Sequence, residues 1–456
     1  MKMNNLDWNK RKDRNIHMIK KMFFLLYIVL CTGLLVGCKQ EKEENSDTLT
    51  IGIIEESPYM DEYLENFKHD HPNCEVVIKD YRKYEDGVTM QDIVQDMMLD
   101  VVSGNGPDVV SWGYSYAPEY VVDNAFMDLS SFVNDNLDED TYFTNIIESF
   151  AINKKIYVLM PNFKIETMVT DKQWVDLVEE WTTSKVMEIY ENNKEEYRLN
   201  KYDNTQTLVF TYFFRGEYNR YVDWESGKCN FTGTEFIDLL EFCNQFRDTN
   251  LDETTEVKPY IQELFIAADV FSVTRICNLC GDMDLAYYGY PTSDGGKNSA
   301  CIANTAFSIT ENCENTDMAY EFLKGWYDEE YQSKLMNEKE DFCLPISKNA
   351  LYEKLDWATT IEYKENDKGE LEPVVKYEVK KDFYDTNPIL IYSIDSDERD
   401  ILLEIINSVD SGLMVDYPIY NIVLEEAQAY FADDKSASEV ANIIDSRVQL
   451  YMNEQY

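Results

Sequence analysis

Histidine is scarce in this chain, which narrows the histidine-dependent chemistry it could carry. Beyond the first fifty residues only His69 and His71 occur, flanking Asp70 where a helix ends before Pro72. They could chelate a metal, but a solvated helix terminus explains them as well. No Ser/His/Asp or Cys/His set stands out in the sequence. There is no GxSxG elbow, no HExxH pair and no phosphate-cradling GxxxxGK[ST]. Cys277-Asn278-Leu279-Cys280 is a lone CxxC with no second pair and no histidine beside it, which fits buried thiols or a bridge better than zinc or redox chemistry. Asn134, Asn136, Asp138 and Asp140 alternate like calcium ligands. Glu139, however, stands where such a loop needs glycine, and Asn145 where it needs a bidentate acid, so the run reads as a helix cap. No metal and no cofactor are expected. The 87 acidic residues leave a two-carboxylate glycosidase open by inventory, although no pair stands out.

The chemistry that remains is binding. The formal charge is −46, which repels nucleic acid and anionic headgroups and favours solubility. It says little about a ligand, because most of it is solvated surface. With 44% hydrophobic residues and 33 tyrosines there is ample material for a core. Residues 49–456 exceed what one core usually organises, so two lobes are expected, in a monomer.

The run Met22 to Leu35 is almost wholly apolar, follows Lys20-Lys21, and leads into Leu35-Val36-Gly37-Cys38. A charged entry, a short apolar core and a small residue at the cut describe a secretory signal peptide over residues 1–37, with translation starting at Met1 or Met18. A retained membrane helix is the alternative. Leu-Val-Gly-Cys resembles the lipobox of bacterial lipoproteins, which implies lipidation at Cys38 and a place on the outer face of the cytoplasmic membrane. Residues 38–48 then form a charged, flexible tether.

Beyond the tether, Leu49 to Ile54 suits a buried parallel strand, and Tyr59, Tyr63, Leu64 and Phe67 recur at helical spacing. Glu75 to Ile78 is a second strand, residues 89–102 a second helix, and Asp108-Val109-Val110 a third strand. Strand, helix, strand, helix, strand is the pattern of an open parallel sheet. From Trp174 to about residue 270 the pattern is mostly helical. Strands return at 284–290 and 301–310, a hairpin is expected in 357–380 around Asn366-Asp367-Lys368-Gly369, and 418–455 is helical.

The turn Ser103-Gly104-Asn105-Gly106-Pro107-Asp108 precedes the third strand, whose carboxyl end carries Ser111-Trp112. It resembles the G-x-GPD motif of extracellular solute-binding proteins of ABC importers, the sugar-binding type related to maltose-binding protein. Further along, Tyr287-Tyr288-Gly289-Tyr290-Pro291 is similar to the family's strand ending in Gly-x-Pro. Ala319-Tyr320-Glu321-Phe322-Leu323-Lys324 is similar to its A-[WY]-x-F-[LI]-K helix, and the segments at 419–426 and 441–451 to its C-terminal tail. Phe342 departs from the glycine of the family's G-x-[LF]-P stretch. The resemblance implies an α/β fold of two lobes with an interlobe cleft, strands crossing near 163–172 and 282–292, and C-terminal helices. It places lobe 1 in 49–168 with 286–348, and lobe 2 in 169–285 with 349–456. It also implies a small solute, an oligosaccharide by preference, delivered to ABC permease subunits with no chemistry by the binding protein.

Sugars present apolar faces and a rim of hydroxyls, so aromatic platforms beside carboxylates and amides would hold them. The candidates at strand or loop ends are Glu56, Trp112, Tyr114, Trp224, Arg275, Asp284 and Tyr288. Helix capping is the plain alternative for Glu56, turn packing for Trp224, and a salt bridge for Arg275. Three functions stay open: an uptake receptor, a sensory lipoprotein reporting to a membrane kinase, and a surface glycosidase.

Overall fold

The computed structural model describes residues 48–455, apart from 56, 58, 84–86, 114–124, 177, 201–204, 225, 247–258, 282, 294, 296–298, 337–342, 381–385, 410 and 413–416. The signal segment, Cys38, the tether to residue 47, Glu56 and Tyr114 therefore lie outside the described residues.

The chain opens with β1 (Thr48–Ile53), α1 (Met60–Asp70), β2 (Glu75–Asp80), α2 (Met90–Val102) and β3 (Val109–Ser111). β1 pairs in parallel with both β2 and β3. Helix α1 forms because Met60, Tyr63, Leu64 and Phe67 share one face, and that face is buried. Helix α2 starts at a capping box in which Thr89 and Asp92 satisfy each other's backbone N–H groups. The turn that follows is shaped by close approach, since a Cβ on Gly106 would lie 2.7 Å from the Val101 Cα. Asp108 accepts the Thr50 N–H at 2.7 Å and the Glu314 N–H at 3.1 Å, so the last residue of the GPD turn ties β1 to a distant loop.

After α3 (Ser130–Asn136) and α4 (Thr144–Glu148) comes a 13-residue strand, β4 (Leu159–Asp171). It leads into α5 (Lys172–Val175), α6 (Thr183–Asn193), α7 (Gln206–Tyr221), the hairpin β5 (Val222–Asp223) and β6 (Lys228–Cys229), and α8 (Thr234–Cys243). The chain returns through β7 (Gln262–Ala267), α9 (Ser272–Cys280), β8 (Leu285–Ala286) and β9 (Ala300–Ile309), then α10 (Thr316–Gly325), α11 (Glu329–Leu335), β10 (Leu344–Pro345) and α12 (Lys348–Thr359). Two hairpins follow, β11 (Tyr363–Glu365) with β12 (Leu371–Pro373) and β13 (Tyr377–Val379) with β14 (Ile389–Ile391). The first turns as its sequence expects, with Asn366 Oδ1 accepting the Lys368 and Glu370 N–H groups and Gly369 at φ 78°. The chain ends with α13 (Ser396–Asn407), β15 (Ser411–Gly412), α14 (Tyr417–Phe431) and α15 (Ala437–Gln455).

The main sheet runs β10-β4-β9-β3-β1-β2, with β7 and β8 on β4 and β15 on β9. Two large apolar cores flank it. The first collects Leu49 to Val169, Phe265 to Cys280 and Cys301 to Val409, and includes the fully buried Phe307, Phe322 and Trp326. The second collects Trp174 to Phe246 with Ile419 to Met452. Each enclosed aromatic contributes about 2–3 kcal/mol by removal from water. Segments 265–280 and 350–409 belong to the first core, because α12 buries Leu351 and Leu355 there and α13 buries Leu402, Ile405 and Ile406. The C-terminal pair α14–α15 packs on the second core, pinned where Glu426 meets Lys435 and Arg447. Among the described residues no helix is long and apolar enough to cross a membrane.

Candidate functional site

Strand register locates the junction of the lobes. Ser111 of β3 and Leu159 of β4 both stand opposite Phe307 of β9. The next pair on β4, Asn162 with Thr305, therefore lies beyond the carboxyl end of β3, where open α/β sheets receive ligands. The ladder is irregular here. Asn162 faces Thr305 and Phe163 faces Ala303, so Asn304 is the extra residue of a bulge. Both polar atoms of Asn162, both of Asn304 and the Thr305 hydroxyl are buried without a hydrogen-bond partner among the described residues. A buried polar atom left unpaired costs about 1–3 kcal/mol, so five at one bulge are a standing demand for a partner.

Past the bulge the two strands alternate. Phe163, Ile165, Cys301 and Ala303 face the first core, leaving Lys164, Glu166, Ala300 and Ile302 on the opposite face. Lys164 and Ile302 are half-buried. Glu166, 4% exposed, accepts from the Tyr290 hydroxyl and from Arg215 Nη1 at 3.1 Å. Arg215 lies on α7, whose Val209, Phe210, Phe213 and Phe214 build the second core. The Glu166 network thus ties this face of the sheet to the helix that builds the second core. Tyr290 packs with Met168 and Ala300 in a small third cluster apart from both cores. It fits because Gly216 has no side chain: a Cβ there would lie 2.6 Å from the Tyr290 Cβ.

The next residue of α7, Glu217, is also buried. It accepts from Thr183 Oγ1 at 2.8 Å, Arg220 Nε at 3.0 Å and Ser293 Oγ at 3.2 Å. Burial pushes its carboxyl above the ordinary value of 4.5, against the lowering pull of those three partners. The folded protein therefore keeps this proton to higher pH than the unfolded chain does. The resulting stabilisation is complete below pH 4.5 and is lost as pH rises through the folded value. Glu217→Gln should remove that decline, so urea midpoints of variant minus parent should rise from pH 4.5 upward. A difference that does not vary with pH would contradict the shift.

A cavity of about 270 Å³ lies beyond the carboxyl ends of β1 and β2, lined by Ile53, Ser57, Tyr59, Met60, Asp61, Glu62 and Arg82. Ser57 Oγ and Ser111 Oγ are 3.1 Å apart, joining this wall to β3. Gly113 takes φ +60°, and a Cβ there would meet Glu55 at 2.8 Å. The Arg82 guanidinium grips Asp80 through Nε at 2.8 Å and Nη2 at 2.7 Å and holds its carboxyl below the usual range. Tyr59 is held at φ 63°, a conformation costly for a bulky residue and common beside ligand sites. A larger groove, about 650 Å³, runs between α1 and α10–α11 and includes His69 and His71. Its walls are already mated, with Lys334 on Glu62 and the Tyr63 hydroxyl donating to the Phe322 carbonyl.

The residues expected from sequence scatter. Trp112 has 0% exposure, and its Nε1 donates to Ser308 Oγ at 2.9 Å, so its ring packs β3 and presents no platform. Trp224 is buried in the second core. Arg275 is spent on Asp269 Oδ2 at 3.4 Å, Tyr377 Oη at 3.1 Å and the Ile266 carbonyl at 3.1 Å. Asp284 and Tyr288 share a cavity, a crevice of about 230 Å³. The eight described cysteines are free thiols, and Cys277 Sγ sits 3.5 Å from the Tyr287 hydroxyl. Sequence reasoning missed Asn162, Asn304 and Thr305. Their signal was an amide inside an otherwise apolar strand, at Leu159-Met160-Pro161-Asn162-Phe163 and again at Ala303-Asn304-Thr305-Ala306.

No protein-family model matches this sequence, and no curated protein does. Solved structures do match. An ABC substrate-binding protein from Listeria monocytogenes in complex with cycloalternan aligns at 12% identity and a TM-score of 0.50, over 89% of this chain and 99% of that one. The sugar-binding protein MalE from Xanthomonas citri aligns at 12% identity and 0.52, over 89% and 98%. A de novo designed cysteine esterase aligns at 15% identity and 0.54, over 89% and 98%. The chain has the two-lobed α/β fold of the solute-binding proteins of ABC transporters. At such identities the likeness is one of fold, and the chemistry must come from the site.

Proposed function

We propose that the chain is a binding protein that captures a carbohydrate or similar hydroxyl-rich solute between its lobes, closes about the crossing strands, and delivers it to an ABC permease. One observation carries the reading: the unpaired Asn162, Asn304 and Thr305 groups lie where β4 and β9 pass from one lobe towards the other. Amides and a hydroxyl offer donors and acceptors together, which suits sugar hydroxyls. The fold's solved sugar-binding examples support the same class. Anchoring by a lipid on Cys38, at the outer face of the cytoplasmic membrane, belongs to the proposal through the signal-like run before it. No chemical step is assigned in this reading.

The body from Asp47 to Tyr456 is one compact unit, so its thermal unfolding can be followed against oligosaccharides. A ligand at a hundredfold excess over its dissociation constant adds about 2.7 kcal/mol. A raised midpoint with one sugar class supports the proposal and names the substrate. Flat midpoints across linear and cyclic oligosaccharides and monosaccharides refute the carbohydrate assignment.

A further inference from the structure

The hairpin of β11 and β12 carries an apolar stripe on one exposed face. Its ladder pairs Tyr363 with Pro373, Lys364 with Glu372 and Glu365 with Leu371. The Val374 N–H donates to the Glu362 carbonyl at 2.8 Å and carries that register one residue further. Alternation then puts Ile361, Tyr363, Leu371, Pro373 and Val375 on the same side. Tyr363 is 60% and Leu371 69% exposed, and the other three are exposed as well. Two strands alone are marginal in water, and a stripe of this kind marks a contact surface.

The backbone shows which edge is open. Ladder bonds join Glu362 to Val374 and Asn366 to Glu370. In an antiparallel pair the residues between these, Tyr363 and Glu365, turn their N–H and C=O groups away from the neighbouring strand. Pro373 faces outward in the same way on β12, but it has no N–H to offer, which blunts that edge. The outer edge of β11 keeps its donors and acceptors, and among the described residues no strand pairs with it.

The residues of β11 point to the occupant. Glu362-Tyr363-Lys364 is its own complement when an identical strand runs antiparallel with Tyr363 facing Tyr363. Glu362 of each copy then stands across from Lys364 of the other, so an opposite-charge pair lies on either side of the two rings. Lys364 meets Glu372 of its own chain at 3.5 Å in an exposed contact, and the pairing would set its ammonium between two carboxylates. The two apolar stripes join on one face of a four-stranded sheet. Centring the pairing on Glu362 or on Lys364 instead would oppose like charges.

We propose that β11 is a self-association edge through which two copies of this chain pair antiparallel, with Glu362 against Lys364, to form a weak dimer.

The formal charge of −46 holds two copies apart at low ionic strength. At about 0.15 M salt the Debye length is about 8 Å, which screens the bodies while strands about 5 Å apart still feel each other's charges. Sedimentation velocity of the body from Asp47 to Tyr456 at that salt, from about 5 to about 500 μM, tests the proposal in the range of small transient interfaces. A shift from monomer to dimer with rising concentration is expected. Glu362→Lys and Lys364→Glu should each weaken it about tenfold or more, because each sets like charges across the edge. Mixed in equal amounts, the two variants should associate with each other, since their opposite signs then meet. Melting midpoints equal to the parent's show that both fold. A parent that stays monomeric throughout overturns the proposal. So does a dimer that survives both single variants, or a mixture of the two that stays monomeric. A monomer that floats with phosphatidylcholine vesicles, and no longer does so after Leu371→Ser, would assign the stripe to lipid and overturn it as well.

Discussion

Glu166→Ala should lower the unfolding free energy by about 3–5 kcal/mol, the usual cost of breaking a buried ion pair by removing one partner. The carboxylate is the common acceptor for the Tyr290 hydroxyl and the Arg215 guanidinium, and neither donor has another acid within bonding distance among the described residues. Alanine strands a hydroxyl on a residue with 1% exposure and leaves a cation beside an apolar cluster. Glu166→Gln retains an acceptor for one donor and should cost less, and Tyr290→Phe, which leaves the Arg215 pair intact, should cost about 1 kcal/mol. Urea unfolding of the three variants orders them Ala, Gln, Phe by decreasing loss. An alanine variant within 1 kcal/mol of the parent would mean that the network does not hold the lobes' joint.

That network also shows what the sequence could and could not disclose. The first five elements were legible because each signal is local: β1 is an apolar run, α1 has an apolar face, and α2 has a capping box. The Asn366–Gly369 turn was legible for the same reason. The resemblance motifs pointed to the two-lobed fold, yet not to which lobe each late helix joins. Helices α12 and α13 have a face to bury, and that pattern does not say against what; the structure packs 350–409 in the first core. The site suffered more. An aromatic at a strand end reads alike whether it stacks on a sugar or, as Trp112 does, donates to Ser308 inside the sheet. Asn162 and Thr305 meet only through the β4–β9 register, and Asn304 matters only because that register slips by one residue. Neither fact has a trace in local periodicity.

The bulge makes the sharpest demand on the proposed function, because stability and binding should move in opposite directions there. Thr305→Val replaces a buried, unpaired hydroxyl with a methyl of the same shape. A Thr-to-Val change normally destabilises by removing a hydrogen bond, but here the hydroxyl has no partner among the described residues, so the unliganded protein should gain about 1 kcal/mol. If a solute hydroxyl is the missing partner, the same change should weaken binding about tenfold or more. Asn162→Ala removes a donor and an acceptor at once and should cost about a hundredfold in affinity, since a site built to pair a hydroxyl discriminates most when that pairing fails. Unfolding midpoints with and without the sugar identified by the oligosaccharide screen measure both effects on one sample. A less stable Thr305→Val protein with unchanged affinity would place an ordered water at the bulge and move the binding surface to the β1–β2 strand ends around Ser57 and Tyr59. A more stable protein that has lost its ligand would show that this fold carries unpaired polar groups at the joint of its lobes because the solute supplies their partners.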